Sequence, residues 1–224
     1  KKFELAKPLI EQLIRIDPNN AQAHDNLGVI NKELGNLKIA IICYEKAIKI
    51  YPEYINAYNN AGIAFKELGN TAKAIEFYQK AINLNKNNPI PYNNIGVVYN
   101  DLGNFKEAIK CFKEAIKNDQ KYLNAYSNLG SSYQELGNYL EAIDAYKNAL
   151  EIDPNYTIAL NNLSLLLKLI TFKSIKELNF FYYKKMFIFL FKKNNINHTE
   201  IFHYAKLFLF EENEKKQIQK INFS

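Results

Sequence analysis

A three-residue segment recurs along the chain at a strict interval of 34 residues. Its four copies are Leu34-Gly35-Asn36, Leu68-Gly69-Asn70, Leu102-Gly103-Asn104 and Leu136-Gly137-Asn138. A fixed period of this length is typical of stacked helix-turn-helix repeats, in which each repeat contacts only its neighbours. The sequence therefore predicts an all-α solenoid that grows by stacking, and not a globular domain around one central core.

Small and aromatic residues occupy fixed positions within the repeat when Ala21 is counted as position 1. Position 8 is glycine in four repeats, and positions 20 and 27 are alanine in the same four. Position 24 is always aromatic, as Tyr44, Tyr78, Phe112 and Tyr146. Small residues let two helices approach closely, and the ring is predicted to fill the space between neighbouring repeats. Proline at position 32, as in Pro52 and Pro154, ends the second helix.

This pattern resembles the tetratricopeptide repeat (TPR), which implies a right-handed superhelix. The resemblance covers residues 3–170, with half-repeats on either side of four full repeats at 21–54, 55–88, 89–122 and 123–156. It departs from the family at Lys86 and Gln120, which replace the proline. Helices are expected near 21–34, 37–50, 55–68, 71–84, 89–102, 105–118, 123–136, 139–152 and 157–170. Since residues 3–16 match only the second half of a repeat, we expect a fragment of a longer protein.

Charge and hydropathy argue against nucleic acid and membrane as partners. Residues 1–170 carry 19 Lys and Arg against 18 Asp and Glu, so the repeats have no basic stripe to follow a phosphate backbone. No run reaches the roughly 20 apolar residues of a membrane span. The net charge of +6 comes mostly from residues 171–224.

The two cysteines, Cys43 and Cys111, hold equivalent positions two repeats apart. Packed helices lie about 10 Å apart, whereas a disulfide needs Cα atoms within about 7 Å. Both are therefore predicted to be free thiols, which suits a reducing compartment. Because no signal-peptide pattern opens the chain, we expect an intracellular protein, in the cytoplasm, the nucleus or both.

Position 6 is asparagine in all five repeats that contain it. These residues, here called the asparagine ladder, are Asn26, Asn60, Asn94, Asn128 and Asn162. The TPR resemblance implies that positions 2, 5, 6, 9, 12 and 13 line a concave groove. Copying from one ancestral repeat is one explanation of the ladder. However, asparagine costs about 0.5 kcal/mol relative to alanine inside a helix, and positions 2 and 12 vary, which favours contact with a ligand.

A carboxamide offers one acceptor and two donors, so it can bind both the N–H and the C=O of a peptide group. An extended peptide rises about 3.3 Å per residue, so one asparagine per repeat would contact roughly every third residue. The sequence therefore predicts broad binding of disordered polypeptide. The ladder resembles that of the TPR region of O-linked N-acetylglucosamine transferases, which implies that the five asparagines hold substrate backbone. Chaperone-tail clamps have Lys at position 5 and Asn at position 9, and no repeat here has either.

Residues for catalysis, metal binding or cofactor binding are not recognisable. None of His24, His198 and His203 has a partner at metal-ligand spacing, and His24 is interpreted as a packing residue. All glycines belong to the repeats, which excludes a phosphate-binding loop. The carboxylates at position 13, such as Glu33 and Glu67, are interpreted as a solvated rim. No catalytic residue, metal or cofactor is predicted.

The period ends near residue 170, and residues 171–224 form an irregular, helical tail rich in aromatic residues and lysine. Two interpretations remain open for residues 171–196, a capping segment and a mistranslated insertion, and the jumbled composition favours the second. Residues 197–210 are predicted to form a helix. Read after 163–169, residues 196–202 resemble the segment that joins the repeats to the catalytic half of the same transferases.

The sequence therefore predicts a protein–protein interaction module that binds extended polypeptide in a concave groove. Two contexts remain open. The chain is the substrate-docking TPR region of a protein O-GlcNAc transferase-like glycosyltransferase whose catalytic domain lies elsewhere, or it is a non-enzymatic TPR scaffold or adaptor. No oligomeric state is predicted.

Overall fold

Helices make up all the regular structure of the described part of the chain. The structure, a computed structural model, describes residues 2–172, and over that range it contains ten α-helices and no strand. They are α1 (Lys2–Ile16), α2 (Ala21–Glu33), α3 (Leu37–Ile50), α4 (Ile55–Glu67), α5 (Thr71–Leu84), α6 (Pro89–Asp101), α7 (Phe105–Asn118), α8 (Leu123–Glu135), α9 (Tyr139–Ile152) and α10 (Thr157–Phe172). The predicted tail beyond α10, including the helix at 197–210 and the segment 196–202, lies outside the described residues.

The Leu-Gly-Asn triplets form the turn between the two helices of each repeat. At the end of α4, Gly69 has a φ of 78°, and its N–H donates to the carbonyl of Lys66 at 2.9 Å. The N–H of Asn70 donates to the carbonyl of Phe65 at 2.9 Å, which completes a Schellman arrangement. The side chain of Asn70 then accepts a hydrogen bond from the N–H of Lys73 at 3.1 Å. One triplet therefore ends one helix and caps the next.

The chain divides into two compact units, residues 1–128 and residues 129–224. In the first unit, each helix from α1 to α7 packs against the next, and the first helices of successive repeats, α2, α4 and α6, also contact one another in turn. Its core includes the buried side chains of Tyr44, Phe65 and Tyr78. In the second unit α9 packs against α10, with Tyr146 and Leu163 fully buried.

The glycine at position 8 makes room for the aromatic residue at position 24 of the same repeat. A Cβ atom on Gly62 would lie 2.5 Å from Cε1 of Tyr78, whose ring is buried. Gly28, Gly96 and Gly130 have the same relation to the aromatic residues of their own repeats, at 2.4 or 2.5 Å. The ring thus fills the space between the two helices of one repeat, in addition to joining the core shared with the next.

Two further sequence predictions concern single side chains. Cys43 and Cys111 are free thiols, as predicted. Burial raises the pKa of both, that of Cys111 to about 11. His24 is half-buried, and its Nε2 lies 3.0 Å from the carbonyl oxygen of Pro18. That contact agrees with a packing role for this histidine.

Candidate functional site on the asparagine ladder

The asparagine ladder lies on the first helix of each repeat. In the first compact unit Asn26, Asn60 and Asn94 lie on α2, α4 and α6, which contact one another in sequence, and Asn128 follows on α8. Asn26 is exposed, and the other three are half-buried. In the second compact unit Asn162 is also half-buried, and it forms a hydrogen bond with the hydroxyl of Tyr146.

Two ladder asparagines donate hydrogen bonds to position 5 of the preceding repeat. Nδ2 of Asn60 donates to Oδ1 of Asp25 at 2.9 Å, and Nδ2 of Asn128 donates to Oδ1 of Asn93 at 2.9 Å. The acceptors Asp25 and Asn93 are 5% and 6% exposed. Buried polar groups of this kind need a partner to offset their lost hydration. The ladder therefore links consecutive repeats as well as facing outward.

The expectation that position 5 lines the open face is wrong. The residues at this position in the first unit are all buried, as Asp25, Asn59, Asn93 and Ser127. Asp25 and Asn93 accept hydrogen bonds from the ladder residue of the following repeat and do not point to solvent. A sequence signal for this role exists, because position 5 holds a small polar residue, Asp, Asn or Ser, in every repeat.

The middle pair of the ladder lacks the bond that its neighbours make. Oδ1 of Asn59 and Nδ2 of Asn94 are both buried and have no hydrogen-bond partner. Asn59 and Asn94 occupy the same repeat positions, 5 and 6, as the residues of the bonded pairs. Oδ1 of Asn59 is an acceptor and Nδ2 of Asn94 is a donor, but no hydrogen bond joins them. A buried unsatisfied polar group costs about 1–3 kcal/mol, so this junction is held less firmly by polar contacts than the two on either side.

Asp25 is the one acid at position 5, and its carboxylate is buried. Its oxygens accept hydrogen bonds from Nδ2 of Asn60 and, at 3.4 Å, from the hydroxyl of Tyr54. Burial raises the pKa of the Asp25 carboxyl, and the two hydrogen bonds oppose that shift without cancelling it. The charged form is therefore held at a cost, since hydration is lost and no lysine or arginine of residues 2–172 forms an ion pair with the carboxylate.

Apolar and charged side chains continue the face of these helices beyond the ladder. Position 9, nearly one helical turn further on, holds the half-buried Val29, Ile63 and Val97. At positions 12 and 13 ion pairs join successive repeats. Nζ of Lys32 lies 3.8 Å from Glu67, and Nζ of Lys66 lies 2.9 Å from Asp101. The acids at position 13 are exposed, as predicted.

The described residues contain no cluster of His, Cys, Asp and Glu side chains able to hold a metal ion. None of the helices in this part of the chain combines the length and apolar character that crossing a bilayer requires. What the site offers is a row of carboxamides beside a row of small apolar side chains. Side chains of these two kinds can form hydrogen bonds and apolar contacts with a partner.

Tandem helix pairs that pack through a glycine and an aromatic ring are typical of all-α repeat proteins that mediate protein–protein interactions. The chain belongs to the tetratricopeptide repeat family, whose sequence profile matches residues 21–87 and 89–154. No curated protein matches it in the sequence comparison.

Solved structures of TPR proteins share the fold. The chain is similar to the crystal structure of MamA protein, with 27% identity and a TM-score of 0.58 over 70% of this chain and 85% of that one. It is also similar to YrrB, described as a TPR protein with an unusual peptide-binding site, with 19% identity and a TM-score of 0.57 over 88% and 97% of the two chains. A third is a thermophilic TPR protein of Thermus thermophilus, with 21% identity and a TM-score of 0.64 over 74% and 91%.

Proposed function

We propose that this chain binds extended polypeptide along the asparagine ladder. The observation that carries the proposal is the row formed by the exposed Asn26 and the half-buried Asn60 and Asn94, on three helices that contact one another in turn. Packed helices lie about 10 Å apart, so neighbouring carboxamides meet backbone groups about three residues apart in an extended chain. The contacts involve backbone, and the binding is therefore tolerant of sequence.

The surroundings of the ladder favour a partner with little net charge. Val29, Ile63 and Val97 provide apolar surface beside it. Lys32 and Lys66 are paired with acids of the next repeat, so neither sign of charge dominates. Disordered segments with small apolar side chains suit such a surface better than acidic or basic tails.

The test measures the affinity of the purified chain for fluorescent peptides drawn from disordered, weakly charged sequences, by fluorescence anisotropy. A variant with alanine at all five ladder positions is expected to bind at least tenfold more weakly. The matched control places alanine at Gln79, Asn83 and Asn148, which are exposed polar residues on second helices. Both variants are first compared with the wild type by circular dichroism. Unchanged affinity in a folded ladder variant contradicts the proposal.

Two biological contexts fit this binding mode. The ladder, by its resemblance to that of O-linked N-acetylglucosamine transferases, favours the substrate-docking region of a protein glycosyltransferase. The second context is a non-enzymatic scaffold or adaptor, supported by the likeness to YrrB, a TPR protein described by its peptide-binding site. Reading the gene beyond Ser224 separates them. An in-frame glycosyltransferase domain supports docking, and a stop codon supports the scaffold. In both contexts this chain alone transfers no sugar, so measured transfer would overturn both.

A further inference from the structure

Resting on the proposed function, the geometry points to a more specific partner, a polypeptide in the polyproline II conformation that offers a backbone N–H at every third residue. The inference concerns which end of each ladder carboxamide faces outward. The sequence left both ends available to a ligand. The structure engages or buries the NH₂ end at Asn60 and Asn94 and leaves the carbonyl outward.

At Asn60 the orientation of the carboxamide is set by its partner. Nδ2 lies 2.9 Å from Oδ1 of Asp25, and a carboxylate only accepts hydrogen bonds. The amide nitrogen must therefore point to Asp25 and the oxygen must point away. Oδ1 of Asn60 accepts no hydrogen bond from the described residues and is not among their buried unpartnered atoms. It therefore faces solvent.

Asn94 has the same orientation for a different reason. Its Nδ2 is buried without a partner, at the position that corresponds to the Asn60 donor. Its Oδ1 is neither buried without a partner nor bonded within the described part of the chain, although the residue as a whole is only half-buried. The carbonyl is again the outward end. Two adjacent helices, α4 and α6, thus present acceptors and keep their donors inside.

An outward row of acceptors binds donors, and on an extended polypeptide the backbone donors are its N–H groups. The acceptors lie on packed helices about 10 Å apart. In a β-strand, N–H groups on one side recur every two residues, about 6.7 Å apart. In polyproline II, equivalent groups recur every three residues with a rise of about 3.1 Å each, or about 9.3 Å per turn. Only the three-residue period brings successive N–H groups to successive acceptors.

This geometry tolerates proline at two of every three positions of the partner and requires a free N–H at the third. The decisive probes are three fluorescent peptides of twelve residues, (Ala-Pro-Pro)₄, (Pro)₁₂, and an ester analogue of the first in which lactic acid replaces each alanine. All three favour polyproline II. The ester analogue differs from (Ala-Pro-Pro)₄ only by the loss of the N–H groups.

We expect (Ala-Pro-Pro)₄ to bind, and (Pro)₁₂ and the ester analogue to bind at least tenfold more weakly. The Asn94→Ala variant should bind (Ala-Pro-Pro)₄ several-fold more weakly without losing thermal stability of its own, since it removes no hydrogen bond. If the ester analogue binds as well as its parent, the acceptor orientation is wrong. If disordered peptides of mixed sequence bind but (Ala-Pro-Pro)₄ does not, the polyproline II assignment is wrong. If no peptide binds, the proposed function itself fails.

Discussion

Replacing Gly62 by alanine is expected to lower the free energy of unfolding by about 2 kcal/mol. The new Cβ atom would lie 2.5, 2.7 and 2.9 Å from three ring carbons of Tyr78, and that ring is 1% exposed and cannot swing out. Forcing extra atoms into a packed core costs about 1–3 kcal/mol, and we take the upper end because three atoms overlap. Alanine is a better helix former than glycine by about 1 kcal/mol, which offsets part of that cost.

Gly69 provides the matched comparison, because the same substitution acts there by another mechanism. A Cβ on Gly69 would meet nothing within 4 Å, but its φ of 78° is in the left-handed region. Alanine there is expected to cost about 1 kcal/mol in backbone strain. Asparagine adopts left-handed conformations readily, so Gly69→Asn should cost less than Gly69→Ala. At Gly62 the order reverses, since asparagine places still more atoms against the ring.

Equilibrium unfolding in urea, followed by circular dichroism, measures all four variants. A double variant adds a direct test, because Tyr78→Leu removes the ring that the new Cβ meets. We expect Gly62→Ala to cost at least about 1 kcal/mol less in the Tyr78→Leu background than in the wild type. Additive effects, or the same order of alanine and asparagine at both glycines, would refute the reasoning.

Three further outcomes follow from buried polar groups. Burial raises the pKa of Asp25, so the folded state holds its proton more firmly, and the stability contributed by the neutral form is lost as pH rises above the carboxyl's usual range. Asp25→Asn, which can still accept from Asn60, should therefore stabilise the protein at pH 7 and have a smaller effect at pH 4. If the urea midpoints of Asp25→Asn and the wild type differ by the same amount at pH 7 and at pH 4, this explanation is wrong. Asn60→Ala should destabilise by about 1–3 kcal/mol because Asp25 loses a donor. Asn94→Ala loses no bond and removes a buried unsatisfied donor, so it should stabilise by about 1 kcal/mol or more. Equal costs in calorimetry would show that the two carboxamides are held alike. Because burial raises the pKa of Cys111 to about 11, iodoacetamide at pH 8 should alkylate it far more slowly in native than in unfolded protein. Mass spectrometry of timed samples reports the rates, and equal rates would mean that the thiol is not packed.

Most of the helical architecture could be predicted from the period alone. The helix expected near residues 55–68 is observed as Ile55–Glu67, and the one expected near 71–84 is Thr71–Leu84. The boundary between them is local in origin. Gly69 adopts the positive φ that ends α4, and Asn70 caps α5. Three consecutive residues, Leu68 to Asn70, therefore determine where one helix ends and the next begins. The close contact of Gly62 with Tyr78 of the same repeat was not predicted, because the pattern assigned the ring to the space between neighbouring repeats.

The candidate site was predictable only in part. The 34-residue period identified the ladder residues, because asparagine recurs at position 6 of each repeat. Its partners at position 5 were assigned to the open face, yet Asp25 and Asn93 are buried and accept hydrogen bonds from the following repeat. The repeat period cannot distinguish a side chain that faces a ligand from one that faces the next helix.

The sequence by itself thus determined the helices, the turns and the line of asparagines, because each depends on residues close together in the chain or on simple periodicity. Tertiary structure alone decided which end of the carboxamide points outward at Asn60 and Asn94. That choice depends on how α4 packs against α2, which brings Nδ2 of Asn60 within 2.9 Å of a carboxylate 35 residues earlier. A donor buried by packing leaves the acceptor outward, and under the proposed function that acceptor would receive the N–H of a bound peptide.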